Sequence, residues 1–215
     1  MTRVWTILLV VALVLSGCNP FAGGSGDLTY AGPTELTIAA GEFVPGTRIQ
    51  FVRAGADGAE VLIDGQKATK KVGDSLRWSG QVTDGVALKV NLRILHISED
   101  RLITSGLVNL SIKHPSPQPG EADQNRPVRY TVPVTYKVNK GDLLPGTTIR
   151  YAGPEEEKGA KLEGIEGYPF RAIGDSILWE GTLRSNVDVS LNVRVLFYND
   201  SFMQVLGTAT IGVTP

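Results

Sequence analysis

Few residues in this chain could do chemistry, and most of those occur twice. Gly73-Asp74-Ser75 recurs as Gly174-Asp175-Ser176, and Asn91 and Arg93 recur as Asn192 and Arg194. The chain has two histidines, His96 and His114, and one cysteine, Cys18. A serine nucleophile needs a base to take its proton, and no histidine accompanies both copies of the triplet. Neither serine lies in the Gly-x-Ser-x-Gly elbow that exposes a hydrolase nucleophile. The triplet therefore reads as a turn, with glycine supplying positive φ and the aspartate carboxylate capping turn amides. One cysteine makes neither a CxxC motif nor an intrachain disulfide. No metal ligand set and no cofactor are expected. The charged loop Glu155-Glu156-Glu157-Lys158 lacks the oxygen spacing of a calcium loop and reads as solvated. Asn91, Arg93, Asn192 and Arg194 remain as a candidate surface patch, because strand residues two apart project from one face.

These residues hold matching places in an internal repeat. Residues 28–112 realign on 128–213, within a second unit of residues 128–215, at an offset of 100, which becomes 101 after one inserted residue. Tyr30, Pro33 and Val44-Pro45-Gly46-Thr47 pair with Tyr130, Pro133 and Leu144-Pro145-Gly146-Thr147. Further on, Trp78, Gly80 and Gly106 pair with Trp179, Gly181 and Gly207. Between the units, residues 113–127 are rich in proline and lack apolar periodicity, as a linker does.

Each unit reads as strands. Val86, Leu88, Val90, Leu92, Ile94 and His96 alternate with mostly polar neighbours, and Val187 to Phe197 repeat the pattern. A period of two marks a half-buried strand and puts His96 and Phe197 on the inward column. Trp78 and Trp179 fall on the inward column of the preceding strand, so both are expected in the core. Shorter strands are expected over Leu36–Ala39, Thr47–Val52 and Glu60–Ile63, with type II turns at the two Pro-Gly pairs. With 25 glycines and 12 prolines in 215 residues, turns are frequent and long helices are not expected. The fold class is all-β: two tandem homologous β-sandwich (Ig-like) domains, with small barrels as the alternative. Each unit is large enough to be expected to fold alone.

The start of the chain, MTRVWTILLVVALVLSGC, places Arg3 before an apolar run and ends it in Leu15-Ser16-Gly17-Cys18. The run is shorter than the roughly 17–25 residues a membrane-spanning helix needs. The pattern resembles the lipobox of bacterial lipoproteins, with residues 1–17 as the signal peptide. That resemblance implies cleavage between Gly17 and Cys18 by lipoprotein processing enzymes, and acylation of Cys18. Membrane lipid becomes a partner through that cysteine. It also implies an extracytoplasmic location, at the outer membrane if there are two, because Asn19 rather than Asp follows the cysteine. Residues 18–27 then form a short tether. Lys+Arg 21 against Asp+Glu 22, scattered rather than striped, give no footprint for nucleic acid.

The function expected from these features is a lipid-anchored, non-enzymatic scaffold, adhesion or binding protein whose partner is an envelope protein or a glycan. Two alternatives stand beside it. One is a cell-envelope hydrolase with carboxylates in an inter-domain groove, since such pairs leave no local signature. The other is a carbohydrate- or peptide-binding lipoprotein. Cys18→Ser is expected to abolish incorporation of a palmitate analogue in the producing bacterium; equal label in C18S and wild type would overturn the lipobox reading.

Overall fold

The computed structural model describes residues 26–215, so Gly17 and Cys18 lie outside the described residues. The first repeat contributes β1 (Leu28–Ala39), β2 (Ile49–Gly55), β3 (Gly58–Ile63), β4 (Gln66–Lys70), β5 (Ser75–Thr83), β6 (Val86–Ile97) and β7 (Arg101–Ile112). A two-residue strand follows, β8 (Gln118–Pro119). The second repeat contributes β9 (Val128–Asn139), β10 (Arg150–Glu155), β11 (Gly159–Glu163), β12 (Phe170–Arg171), β13 (Ser176–Arg184), β14 (Val187–Tyr198) and β15 (Phe202–Val213). They form four sheets, ordered β1-β7-β6-β5, β2-β3-β4, β8-β13-β14-β15-β9 and β10-β11-β12. The chain is all-β and repeat-containing, and the larger sheet of each repeat has the same strand order apart from β8.

Alternation holds along β6 from Val86 to Ile94 and then breaks. A β-bulge between Ile94 and His96 has its counterpart between Val195 and Phe197. A bulge sets two residues against one, so the faces exchange beyond it. His96 and Phe197 are therefore exposed, which corrects the inward placement that strict alternation gives them. β1 also differs from expectation, running twelve residues where four were legible. Gly32 and Pro33 interrupt the apolar pattern, yet proline is tolerated on an edge strand, and β1 is the edge of its sheet.

That edge is where the repeats meet. β1 packs against β9, the matching edge of the other large sheet. A Cβ on Gly32 would come 2.9 Å from the Pro133 ring, so glycine is required for this approach. The contacts are reciprocal. Gly46 in the first Pro-Gly turn abuts Val128, and Gly146 in the second abuts Leu28 and the Tyr30 hydroxyl. Tyr130 donates its hydroxyl hydrogen to the Pro45 carbonyl at 2.6 Å. The hairpin turns after β5 and β13 also meet, with Asn186 donating to Thr83 Oγ1 at 3.0 Å and Arg184 to the Lys113 carbonyl at 2.7 Å. Each repeat thus covers the first strand of the other with its own Pro-Gly turn.

The inward columns of both repeats belong to one contiguous buried cluster. The two repeats share this cluster where β1 meets β9, and Tyr30 and Tyr130 are buried there. Burial, with Tyr136 adding to it, pushes the Tyr30 hydroxyl well above the ordinary phenol range. The Tyr30 and Tyr136 hydroxyls are buried without a hydrogen-bond partner among the described residues.

A single shared core predicts one urea transition for the full chain, reported alike by probes in either repeat. Gly146→Val drives a branched side chain into Tyr30 at positive φ, and should lower the unfolding free energy by about 2 kcal/mol or more, read as a fall in urea midpoint. Two separated transitions, only one of them moved by G146V, would contradict the shared core.

Candidate functional site

The repeated Gly-Asp-Ser triplets sit in turns that lead into β5 and β13. Asp74 Oδ2 accepts the Lys71 amide at 2.8 Å, and Asp175 Oδ2 accepts the Ala172 amide at 2.8 Å. The backbone of each aspartate also pairs with β6 or β14, through Ile94 and Val195. These carboxylates hold turns. Among the described residues no three His, Cys, Asp or Glu side chains converge as a metal site would require. The loop acid Glu155 is engaged by Lys161 at 2.9 Å and Lys158 at 3.2 Å, and these bonds hold its carboxyl below the usual range.

The four candidate patch residues are all exposed and lie on the outer faces of the two large sheets. Asn91 stands opposite Arg77 on β5 and Leu107 on β7, and Arg77 Nε donates to Asn91 Oδ1 at 3.1 Å. Arg93 stands between Ser75 and Ser105. In the second repeat Asn192 lies opposite Leu178 and Thr208, and Arg194 opposite Ser176 and Leu206. Arg194 also donates to the Gly174 carbonyl at 3.2 Å. Leu107, Leu178 and Leu206 are 58%, 63% and 43% exposed on strands whose inner faces are buried. Each Asn/Arg pair is therefore a polar row beside surface leucines. The two pairs do not meet, since β7, β1, β9 and β15 lie between β6 and β14.

The largest departure from expectation is in residues 113–127. Gln118 and Pro119 pair with Thr182 and Gly181 as β8. Further along, Ala122 is buried and Arg126 forms a two-point ion pair with Asp188, Nε to Oδ2 at 2.7 Å and Nη2 to Oδ1 at 2.9 Å. The Asp123 amide donates to the same carboxylate at 3.0 Å. Hydrogen bonding to Asp188 holds the guanidinium above its ordinary value, against the opposing effect of burial. The alternation of β14 puts Asp188 on the outward column, and sequence reasoning passed over it. The signal was there: its counterpart in the first repeat is Ala87, and a lone acid in one copy asks for a local partner.

The two tryptophans differ as a consequence. Each ring lies over the glycine two residues on, leaving 2.5 Å or 2.6 Å for a Cβ on Gly80 or Gly181. Trp179 is only 6% exposed, and its Nε1 donates to Thr148 Oγ1 at 3.2 Å. Trp78 is half-buried, with Arg48 where the second repeat has Thr148. Only Trp179 fulfils the core expectation. Comparison with protein-family models, with curated proteins and with solved structures found no match to the chain.

Trp179→Ala should cost about 3–5 kcal/mol, as emptying a large buried aromatic site does, and Trp78→Ala less than about 2 kcal/mol. Equal urea midpoint shifts would contradict this asymmetry. Asp188→Ala leaves Arg126 without its charge partner and should cost about 3 kcal/mol, with faster proteolysis between residues 115 and 122. Unchanged proteolysis would show that the ion pair does not hold this segment.

Proposed function

We propose that the protein is a lipid-anchored, extracytoplasmic binding scaffold without enzymatic activity, tethered through Cys18 and presenting its outer strand faces to an envelope protein or glycan. In this reading each repeat is a β-sandwich of Ig-like layout. Support comes from the small sheets, which lay Phe51 and Val61, or Tyr151 and Leu162, into the same cluster as the inward columns of β6 and β14. The anchor reading rests on Leu15-Ser16-Gly17-Cys18, and the tether from Asn19 to Asp27 spans at most about 30 Å.

The observation that carries the binding role is the reciprocal packing of the repeats. It holds two outer faces in a fixed relation, each with an Asn/Arg row flanked by exposed leucine. Scattered surface leucines are ordinary, but leucines in register with a duplicated polar row make a preorganised surface whose contacts are ordered before a partner arrives.

A photo-crosslinking residue in place of Leu107 or Leu206, in the bacterium that makes the protein, should give a discrete adduct with an envelope protein or glycan. Asn91→Ala, Arg93→Ala, Asn192→Ala and Arg194→Ala together should remove that adduct, each changing stability by about 0.5 kcal/mol or less. The absence of an adduct at both positions, or one indifferent to the four alanines, would overturn the outer-face assignment.

A further inference from the structure

The two repeats treat the same strand edge differently. In the second repeat β13 is covered by β8: the Ser116 amide donates to the Leu183 carbonyl at 2.8 Å, and the Gly120 amide to the Glu180 carbonyl at 3.1 Å. In the first repeat β5 ends its sheet among the described residues. The counterparts of those two acceptors, the Val82 and Ser79 carbonyls, receive no such bond among the described residues. The inward positions follow suit. Trp179, Gly181 and Leu183 are buried, whereas Trp78, Gly80 and Val82 are half-buried. Beside Trp78 opens a groove of about 690 Å³ whose walls include Phe43, Pro45, Val82, Pro127 and Pro215. It is continuous with the junction between the repeats, since Val128 also lines it.

The ion pair that holds the segment after β8 in place has no counterpart in the first repeat. At the same offsets Arg126 and Asp188 become Gly26 and Ala87. The charge at the edge also changes between copies. Arg48 lines the groove beside Trp78, as does Glu42, and Arg77 precedes Trp78 on the outer face of β5; the second repeat has Thr148 and Leu178 in place of the two arginines, and Ser79 replaces Glu180. Neither arginine has an ion pair among the described residues. An open edge offers a ladder of backbone hydrogen bonds to an extended chain, and a proline ring fits beside tryptophan without breaking an outer ladder.

We propose that β5 is a strand-addition site for an extended, proline-bearing, acidic segment of another polypeptide, which docks as β8 docks on β13 and sets its acids against Arg77 and Arg48. The register of β8 carries residues after its Gly120 toward the position of Leu178, which is Arg77 in the first repeat. The site touches the first outer-face row at Arg77, which donates to Asn91, but its backbone ladder lies on the free side of β5 and stands whether or not the rows bind a partner.

The probe is a peptide with the sequence of residues 116–124, SPQPGEADQ, acylated at its N-terminus so that the serine nitrogen is an amide, labelled with a fluorophore at its C-terminus and titrated into the full chain by anisotropy. Saturable binding is expected. N-methylation of the peptide amides at its serine and glycine should weaken it about tenfold or more, by removing the two ladder donors. Arg77→Glu, an exposed change that leaves the core intact, should weaken it about fivefold or more, and added salt should do the same in wild type. Trp78→Ala should also weaken it, while Asp188→Ala, which loosens the edge of β13, should not strengthen it. No saturable binding, or binding indifferent to both N-methylation and R77E, would overturn the proposal. So would a chain lacking residues 18–25 that binds about tenfold tighter than the full chain, because the occupant would then be the chain's own tether. Self-association that the peptide competes away would assign the edge to a second copy instead.

Discussion

The edge-to-edge packing of β1 on β9 is the constraint on which the remaining structure depends. Both are the first strands of their repeats and the outer strands of their large sheets. An unpaired edge is a liability in water, open to pairing with any other chain. Here the two edges hide each other, with Pro33 and Pro133 accommodated because edge strands need no full ladder. The Pro-Gly turn of each repeat closes over the tyrosine of the other. Internal duplication makes such reciprocity easy, just as two-fold symmetry does between separate subunits. The glycines at 32, 46 and 146 are then fixed by clearance across the junction.

Once the repeats are joined in this way, the segment between them has a defined path. It leaves β7 and must reach the start of β9, and it does so along the edge of β13. Arg126 and Asp188 make that path stable, since two charges held at two points with an added backbone amide meet the conditions under which a nearly buried ion pair is tolerated. The first repeat has no such pair, and equivalent positions in matching strands end in different states: Trp179 sealed and Trp78 half open. The asymmetry between copies therefore comes from the linker together with substitutions around the tryptophans, such as Thr148 against Arg48.

The repeat, the long strands, the turns and the inward columns were legible because each rests on local chemistry. Period-two alternation, Pro-Gly for a type II turn and Gly-Asp before a strand operate within a few residues. His96 and Phe197 were misread for a physical reason: a bulge changes no residue type, and alternation is simply continued through it. β1 was cut short because Gly32 and Pro33 look like breakers until the neighbouring strand that requires them is known. The Asn/Arg rows were placed on the correct outward face, yet the exposed leucines beside them come from other strands, and only sheet register brings them there.

The sequence by itself determined the all-β repeat, because strand period and turn residues are properties of contiguous residues. Tertiary structure decided how the two copies share one core, which edge the proline-rich segment covers, and which tryptophan stays accessible. Those outcomes depend on contacts between residues 85 positions apart, such as Tyr130 with Pro45, or 62 apart, such as Arg126 with Asp188. Their spacing in the chain carries no periodic signal. The energy that selects them comes from burying edges and charges that are already formed locally.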